Sequence, residues 1–259
     1  MTTQIHSTAI VEAGAELGSN VSIGPYSIIG ADVKIGDDCR IESHVVINGQ
    51  TTIGQNNQFF PFAAIGAAPQ SIAYKGEPTE VRIGDNNIFR ENVTVNRGTA
   101  EHDGITSIAN DNFIMAYCHI AHDCHLGSNI VFANCASLAG HCDVGDYVVL
   151  AGYTLIHQFC RVGEHCFTGV NSVCIQDVPP FTLVAGNRAI THGINVRGLR
   201  RRGFTSDDIT ELKRAYKVIY RSGLTMSKAI EEIESKDWQS DHIKVLTGFI
   251  QESKRGVIR

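Results

Sequence analysis

The chain has 259 residues, 43% of them hydrophobic, and a formal net charge of −5 at pH 7. It contains neither an apolar run long enough for a membrane span nor a basic-then-apolar N-terminal segment, so we expect no transmembrane segment, no secretory signal and a cytoplasmic location. The acidic balance argues against nucleic acid as a partner, and the length allows a sizeable core.

A period of six runs through most of the chain. Every sixth residue from Ile5 to Ile65 is bulky and apolar, and the row resumes at Ile83 and then, one residue out of phase, runs from Ile108 to Val162. Such a period fits neither a helix nor simple strand alternation, whereas a short strand plus a corner accounts for it, and three hexads close one coil. The sequence therefore predicts a mainly β fold, a parallel β-helix over residues 1–190.

Strand alternation also points inward the position two residues before each apolar one. This position is mostly small or β-branched, and at Asn57, Asn87 and Asn112 it is an amide that can form a ladder with its stacked copies. Six of the eight cysteines share it: Cys39, Cys118, Cys124, Cys142, Cys160 and Cys166. We interpret them as buried core thiols, with a metal or disulfide role as the less favoured alternative.

Two segments interrupt the coils. Ser71 and Glu77 replace the apolar row within residues 67–82, and residues 96–107 contain the change of phase. We expect both to leave the β-helix as loops that contribute to binding, because long loops on a rigid scaffold often do so. Loops without a role are the alternative.

After Pro179-Pro180 the period gives way to helical patterns. Thr205 to Asp208 reads as a capping box, an apolar stripe follows, and Gly223 ends that helix; two more helices are predicted near 226–235 and 241–254. Residues 191–259 are therefore predicted to form a C-terminal helical domain, whose apolar stripes favour an oligomer.

Five histidines lie close together in the sequence, at positions 119, 122, 125, 141 and 157. His119 and His125 should point outward from strands, and His122 should lie at a corner beside Asp123. Three interpretations remain open: a general base oriented by Asp123, a zinc site at a subunit interface, or surface imidazoles hydrogen-bonded within turns. The spacing favours the base.

Seven segments carry a family resemblance beyond the hexapeptide rows. They are His119-Ile-Ala-His-Asp-Cys124, Leu138-Ala-Gly-His141, Ile156-His-Gln-Phe-Cys160, Gln176-Asp-Val-Pro-Pro180, Gly193-Ile-Asn-Val196, Leu199-Arg-Arg-Arg-Gly-Phe204 and Tyr220-Arg-Ser-Gly223. Together they resemble the UDP-N-acetylglucosamine O-acyltransferases of lipid A biosynthesis over nearly the whole chain. The resemblance implies a left-handed parallel β-helix and a homotrimer with active sites between subunits.

The implied reaction moves a 3-hydroxyacyl group from acyl carrier protein to the glucosamine 3-hydroxyl of UDP-N-acetylglucosamine, the first step of lipid A biosynthesis, and we expect neither a cofactor nor a metal. The resemblance makes His122 the general base, Asp123 its orienting partner and the Gly140 N–H an oxyanion donor. It assigns substrate binding to His119, His141, His157, Gln158, Asn195, Arg201 and Gln70.

A basic segment follows the coils, with arginines at 197, 200, 201 and 202. In an acidic chain this segment indicates contact with phosphates or with the acidic carrier protein. We assign the contact with carrier protein to Arg200 and Arg202. The alternative is that these arginines are simply solvated at the start of a helix. The chain departs from the family pattern at Ser71, Ala73 and Arg197. A 3-amino analogue of the sugar nucleotide is therefore kept as an alternative acceptor.

Val170 stands where relatives that accept long acyl chains have glycine, which predicts a preferred chain of about 10 to 12 carbons. Two other enzymes remain as alternatives: a zinc-dependent β-helical hydratase and a related N-acyltransferase acting on a UDP-amino sugar. An ice-binding scaffold is a third, but it should show a Thr-x-Thr ladder, and the sequence has none.

Overall fold

The computed structural model describes residues 3–259. The strands up to residue 96 are β1 (Gln4–Ile5), β2 (Ile10–Val11), β3 (Glu16–Leu17), β4 (Ser22–Ile23), β5 (Ile28–Ile29), β6 (Val33–Ile35), β7 (Arg40–Ile41), β8 (Val46–Ile47), β9 (Gln50–Ile53), β10 (Gln58–Phe59), β11 (Ala64–Ala67), β12 (Glu80–Ile83), β13 (Ile88–Phe89) and β14 (Thr94–Asn96). Those that follow are β15 (Ile105–Ile108), β16 (Phe113–Ile114), β17 (His119–Ile120), β18 (His125–Leu126), β19 (Val131–Phe132), β20 (Ser137–Leu138), β21 (Asp143–Val144), β22 (Val149–Leu150), β23 (Leu155–Ile156), β24 (Arg161–Val162), β25 (Phe167–Thr168), β26 (Val173–Cys174), β27 (Thr182–Ala185) and β28 (Ile190–Ile194). The helices are α1 (Val196–Arg201), α2 (Ser206–Arg221), α3 (Met226–Glu234) and α4 (His242–Gln251).

Three parallel sheets form the faces of a β-helix, which confirms the predicted coils. The first sheet runs from β1 through every third strand to β25 and then β27, the second from β2 to β26, and the third from β3 to β24. In undisturbed coils each strand pairs with the strand three hexads later, as Gln4 does with Ser22. Each apolar row residue therefore stacks on its counterpart in the next coil.

The coils are interrupted at residues 68–79, between β11 and β12, and at residues 97–104, between β14 and β15. Ile53 pairs with Ile83, and the row keeps its phase there because the first insertion adds two whole hexads. Ile83 pairs with Ile108, and the phase shifts by one because the second insertion is one residue longer than a hexad. We call these the 68–79 loop and the 97–104 loop.

The interior follows the predicted pattern. The Asn87 N–H donates to Asn57 Oδ1 at 2.9 Å, and the Asn112 N–H donates to Asn87 Oδ1 at 3.0 Å, so the amides form a buried ladder. The six cysteines at inward positions are buried and free, as predicted for core thiols.

The C-terminal region adds elements that the sequence analysis did not predict. β27 and β28 form an antiparallel pair, and α1 follows. The six-residue α1 buries only Leu199, so no apolar stripe marks it in the sequence. The predicted capping box of α2 is confirmed: the Asp208 N–H donates to Thr205 Oγ1, and the Thr205 N–H donates to the Asp208 carboxylate.

The last two helices are slightly shorter than predicted. α4 ends at Gln251 rather than near residue 254, because the chain then turns back onto the coils: Val257 bridges to Asp177, and Ile258 is buried in the core of the β-helix. Among the described helices, none has the length and apolar character needed to cross a membrane.

Candidate active site

His122 and Asp123 lie at the corner where the chain passes from β17 in the second sheet to β18 in the third. His122 Nδ1 is 2.7 Å from Asp123 Oδ2, and the two side chains are 13% and 2% exposed. Because an ionised carboxylate can only accept hydrogen bonds, Nδ1 carries the hydrogen and Nε2 keeps a lone pair. This geometry suits a general base whose tautomer is fixed by a carboxylate.

Asp123 stays ionised although it is buried. Burial alone would raise the pKa of its carboxyl group, but hydrogen bonds from Thr99 and His122 and the nearby His141 outweigh this and hold the pKa below its ordinary value. The Thr99 N–H donates to Oδ1 at 2.9 Å, and its hydroxyl donates to Oδ2 at 2.7 Å. The negative carboxylate can therefore stabilise an imidazolium at His122.

His141 lies one coil beyond Asp123 at the same corner, and Phe159 lies one coil further. All three have a left-handed backbone, with φ of 57°, 60° and 66°. His141 Nε2 is 3.7 Å from Asp123 Oδ2, and its ring stacks on Phe159 with centroids 4.6 Å apart. Burial lowers the pKa of His141; the charge of Asp123 opposes this effect, while His102 and His122 add to it. A neutral imidazole therefore faces the site at pH 7.

His102 and Thr99 are site residues that the sequence analysis missed. His102 packs against His141 with ring centroids 4.2 Å apart. Both residues come from the 97–104 loop, where no period indicates which way a side chain points. The only indication in the sequence was that this segment leaves the coils.

Gly140 and Gln158 follow His122 at intervals of one coil. A β-carbon at Gly140 would lie 2.5 Å from His122 Cε1, so the imidazole packs directly on the glycine backbone. Within residues 3–259 the Gly140 N–H donates no hydrogen bond, which leaves it available to an oxyanion. Gln158 is half-buried at the same corner.

The other three histidines differ in their surroundings. His119 Nδ1 lies 2.7 Å from Thr94 Oγ1, and burial, with repulsion from His122, lowers its pKa. His157 is exposed, with Nδ1 3.3 Å from Arg255 Nη2. His125 belongs to the third sheet, where its ring contacts Ser107 and Asp103 and stands apart from the His122 cluster.

A second concave region lies where α1 meets the coils. A cavity of about 380 Å³ is lined by Tyr147, Val149, His165, Phe167, Leu183, Asn195, Arg197, Gly198, Arg201 and Arg202. Asn195 caps α1 by accepting from the Gly198 N–H at 3.1 Å, and its amide donates to the His165 carbonyl. Arg202 lies over the Tyr147 ring at 4.6 Å. The structure thus groups Arg201 with Arg202, whereas Arg200 is exposed and does not line this cavity.

Gln70 lies on the same edge of the β-helix as His122, between the second and third sheets, whereas Val170 does not. Gln70 is exposed on the 68–79 loop. Val170, 71% exposed, lies at the corner between β25 and β26, where the first sheet passes to the second. It therefore lies on a different edge of the β-helix from His122.

His122, Asp123 and His141 could also be considered as metal ligands, because one ligand atom of each lies within 4.8 Å of the others. The Asp123 oxygens, however, already accept three hydrogen bonds, from the Thr99 N–H, the Thr99 hydroxyl and His122. This pattern favours a carboxylate that orients an imidazole over one that binds a cation.

Comparisons with known proteins agree with the fold. Residues 177–258 match the family model for domain 2 of UDP-N-acetylglucosamine O-acyltransferase, and residues 14–49 and 105–140 match bacterial transferase hexapeptide repeats. The structure of UDP-N-acetylglucosamine acyltransferase from Bacteroides fragilis superposes with a TM-score of 0.96 at 39% identity, covering 98% of this chain and 99% of that one. The expected left-handed parallel β-helix is thereby confirmed.

Two relatives are similar over their full length. Both are named acyl-[acyl-carrier-protein]–UDP-N-acetylglucosamine O-acyltransferase. The protein from Thermodesulfovibrio yellowstonii is 50% identical over 256 residues, 99% of each chain. The protein from Herminiimonas arsenicoxydans is 52% identical over 260 residues, 98% of this chain and 99% of its own. This chain therefore belongs to the acyl-[acyl-carrier-protein]–UDP-N-acetylglucosamine O-acyltransferase family.

Proposed function

We propose that this acyltransferase moves a 3-hydroxyacyl group from acyl carrier protein to the glucosamine 3-hydroxyl of UDP-N-acetylglucosamine, the first step of lipid A biosynthesis, in the cytoplasm. The names of the full-length relatives support the substrates. The observation that carries the chemistry is the hydrogen-bonded pair of His122 and Asp123, whose imidazole packs on the backbone of Gly140.

In this mechanism His122 Nε2 takes the proton of the sugar hydroxyl while that oxygen attacks the thioester carbonyl. Asp123 stabilises the resulting imidazolium, and the Gly140 N–H donates to the oxyanion of the tetrahedral intermediate. As the carbon–sulfur bond breaks, the imidazolium returns the proton to the departing thiolate of the carrier protein. His122 thus ends neutral, and no covalent enzyme intermediate forms.

Substrate contacts follow from the position of each residue. His119, His141 and His157 would bind the sugar and thioester end, and Gln70, Gln158, Asn195 and Arg201 the UDP-sugar. We propose a homotrimer with sites between subunits, because Val170 and His122 lie on different edges of the β-helix, and because Ile72 in the 68–79 loop is fully exposed.

The test is an assay of UDP-N-acetylglucosamine with a panel of hydroxyacyl carrier proteins, with and without a chelator. His122→Ala should reduce turnover about 10²- to 10⁴-fold. His125→Ala, a histidine of the neighbouring sheet, is the matched control and should keep wild-type turnover. Near-full activity of the His122→Ala enzyme would contradict the assignment of His122 as the general base.

The same assay separates the alternatives. Activity abolished by the chelator and restored by zinc would favour a metal site at His122, Asp123 and His141. Faster transfer to a 3-amino analogue of the sugar nucleotide would instead indicate an N-acyltransferase.

A further inference from the structure

We infer that Thr99 is a positioning residue of the acyl transfer, because its hydroxyl and N–H together hold the Asp123 carboxylate against His122. This inference rests on the proposed role of His122 as base. Thr99 is 6% exposed, so it cannot itself reach the reacting atoms and must act through Asp123.

The two residues are brought together by the fold. Thr99 lies 24 positions before Asp123, on a loop that leaves the coils. Its N–H binds Oδ1, and its hydroxyl binds Oδ2, the oxygen that also contacts His122 Nδ1. With both oxygens held, the carboxylate cannot rotate without losing a hydrogen bond. The fixed plane of the carboxylate therefore sets the orientation of the His122 imidazole.

The loop that carries Thr99 is itself anchored at both ends. A β-carbon at Gly98 would lie 2.2 Å from the Gly104 carbonyl carbon, so the ends of the loop meet in close contact. Arg97 donates to the Gly66 carbonyl and, at 3.2 Å, to Tyr74 Oη of the 68–79 loop. The Thr99 contact therefore belongs to a loop whose ends are in contact and whose first residue is hydrogen-bonded to neighbouring segments. It is not a chance surface contact.

The hydroxyl also has an electrostatic effect. A buried carboxylate is costly to ionise, and each donor that binds the charged form favours it. Without the Thr99 hydroxyl, the pair of His122 and Asp123 should bind a proton more readily. His141 also faces this carboxylate, with Nε2 3.7 Å from Asp123 Oδ2, and His102 packs on His141. The acid limb of kcat/KM therefore reports these groups as a unit, and it should move to higher pH.

The test compares Thr99→Val, which keeps the volume and the N–H but lacks the hydroxyl, with Thr99→Ser, which keeps the hydroxyl. Thr154→Val is the control for loss of a buried hydroxyl: Thr154 is fully buried, and its Oγ1 lies 2.7 Å from Thr168 Oγ1 at another corner. We expect Thr99→Val to lower kcat/KM about 10- to 100-fold and to move the acid limb up by about one pH unit. Thr99→Ser and Thr154→Val should keep the wild-type pH profile.

If the valine variant does not fold, Thr99→Ala removes the same hydroxyl without the branched methyl group and should give the same shift. An unchanged acid limb and kcat/KM in a folded Thr99→Val or Thr99→Ala enzyme, beside an inactive His122→Ala enzyme, would overturn the inference and leave the proposed base intact. A fully active His122→Ala enzyme would overturn both.

Discussion

Gly140 lies against the imidazole of His122, with the positions of Cε1, Nε2 and Nδ1 only 2.5, 2.8 and 3.0 Å from where a β-carbon would be. The two residues are separated by one coil of the β-helix, so stacking of the coils alone sets their contact. The glycine is needed here for close approach, because its φ is not in the left-handed region.

Gly140→Ala should therefore displace the His122 ring and reduce kcat about 10²-fold, the loss expected for a misplacement of about 1 Å. Gly152→Ala is the matched control in the next coil, because its β-carbon would meet only the Asn134 carbonyl oxygen, at 3.4 Å. Steady-state kinetics measures the loss of kcat, and thermal melting shows whether each variant is still folded. Wild-type kcat in a folded Gly140→Ala enzyme would show that the ring tolerates the methyl group.

Variants of Arg200, Arg201 and Arg202, at the end of α1 and its C-cap, should differ in the substrate whose KM they raise. Arg201 lines the cavity of about 380 Å³, so Arg201→Ala should raise KM for the UDP-sugar. Arg200 is exposed, and Arg200→Glu should raise KM for acyl carrier protein by an amount that shrinks with salt, because exposed charges are screened over about 8 Å. Arg202 lines the cavity over Tyr147, so Arg202→Glu should show both effects.

Arg40→Glu, at the N-terminal end of the coils, is the control for a change of net charge. Equal KM values for the three arginine variants and the wild type would remove the end of α1 from substrate recognition.

Val170 should limit the acyl chain. An isopropyl group that is 71% exposed at an edge of the β-helix can fill a groove formed with a neighbouring chain. Val170→Gly should shift the preferred donor from about 10–12 carbons towards about 14, with discrimination of about 10-fold or more per misfit step. Rates with hydroxyacyl carrier proteins of these lengths measure the shift, and Val170→Ala should be intermediate. An unchanged length profile would assign the limit to another residue.

The contribution of His165 to stability should fall as the pH decreases from 7 towards 5. Burial, with repulsion from Arg202 and His242, lowers the pKa of His165 to about 4. In the unfolded chain this histidine binds its proton near pH 6.5, so the unfolded state takes up the proton first and is favoured as the pH falls between these values. Melting temperatures at pH 7 and 5 should therefore differ less for His165→Gln than for the wild type. An equal difference would show that His165 does not contribute.

The coils could be predicted from the sequence, because a β-helix repeats one local rule: an apolar residue every sixth position must point inward, whatever lies elsewhere in the chain. The inward cysteines, the asparagine ladder and the capping box of α2 follow from the same local logic. The stacking of His122, Gly140 and Gln158 could also be derived from the coil of three hexads.

The contacts of the loops, in contrast, could not be predicted from the sequence. Thr99 and His102 lie outside the period, so no register placed one on Asp123 and the other on His141. The same holds for α1, which has no apolar stripe, and for the return of Val257 and Ile258 to the coils. Contacts between segments distant in the chain depend on how each loop closes, and a local pattern of side chains carries no information about that closure.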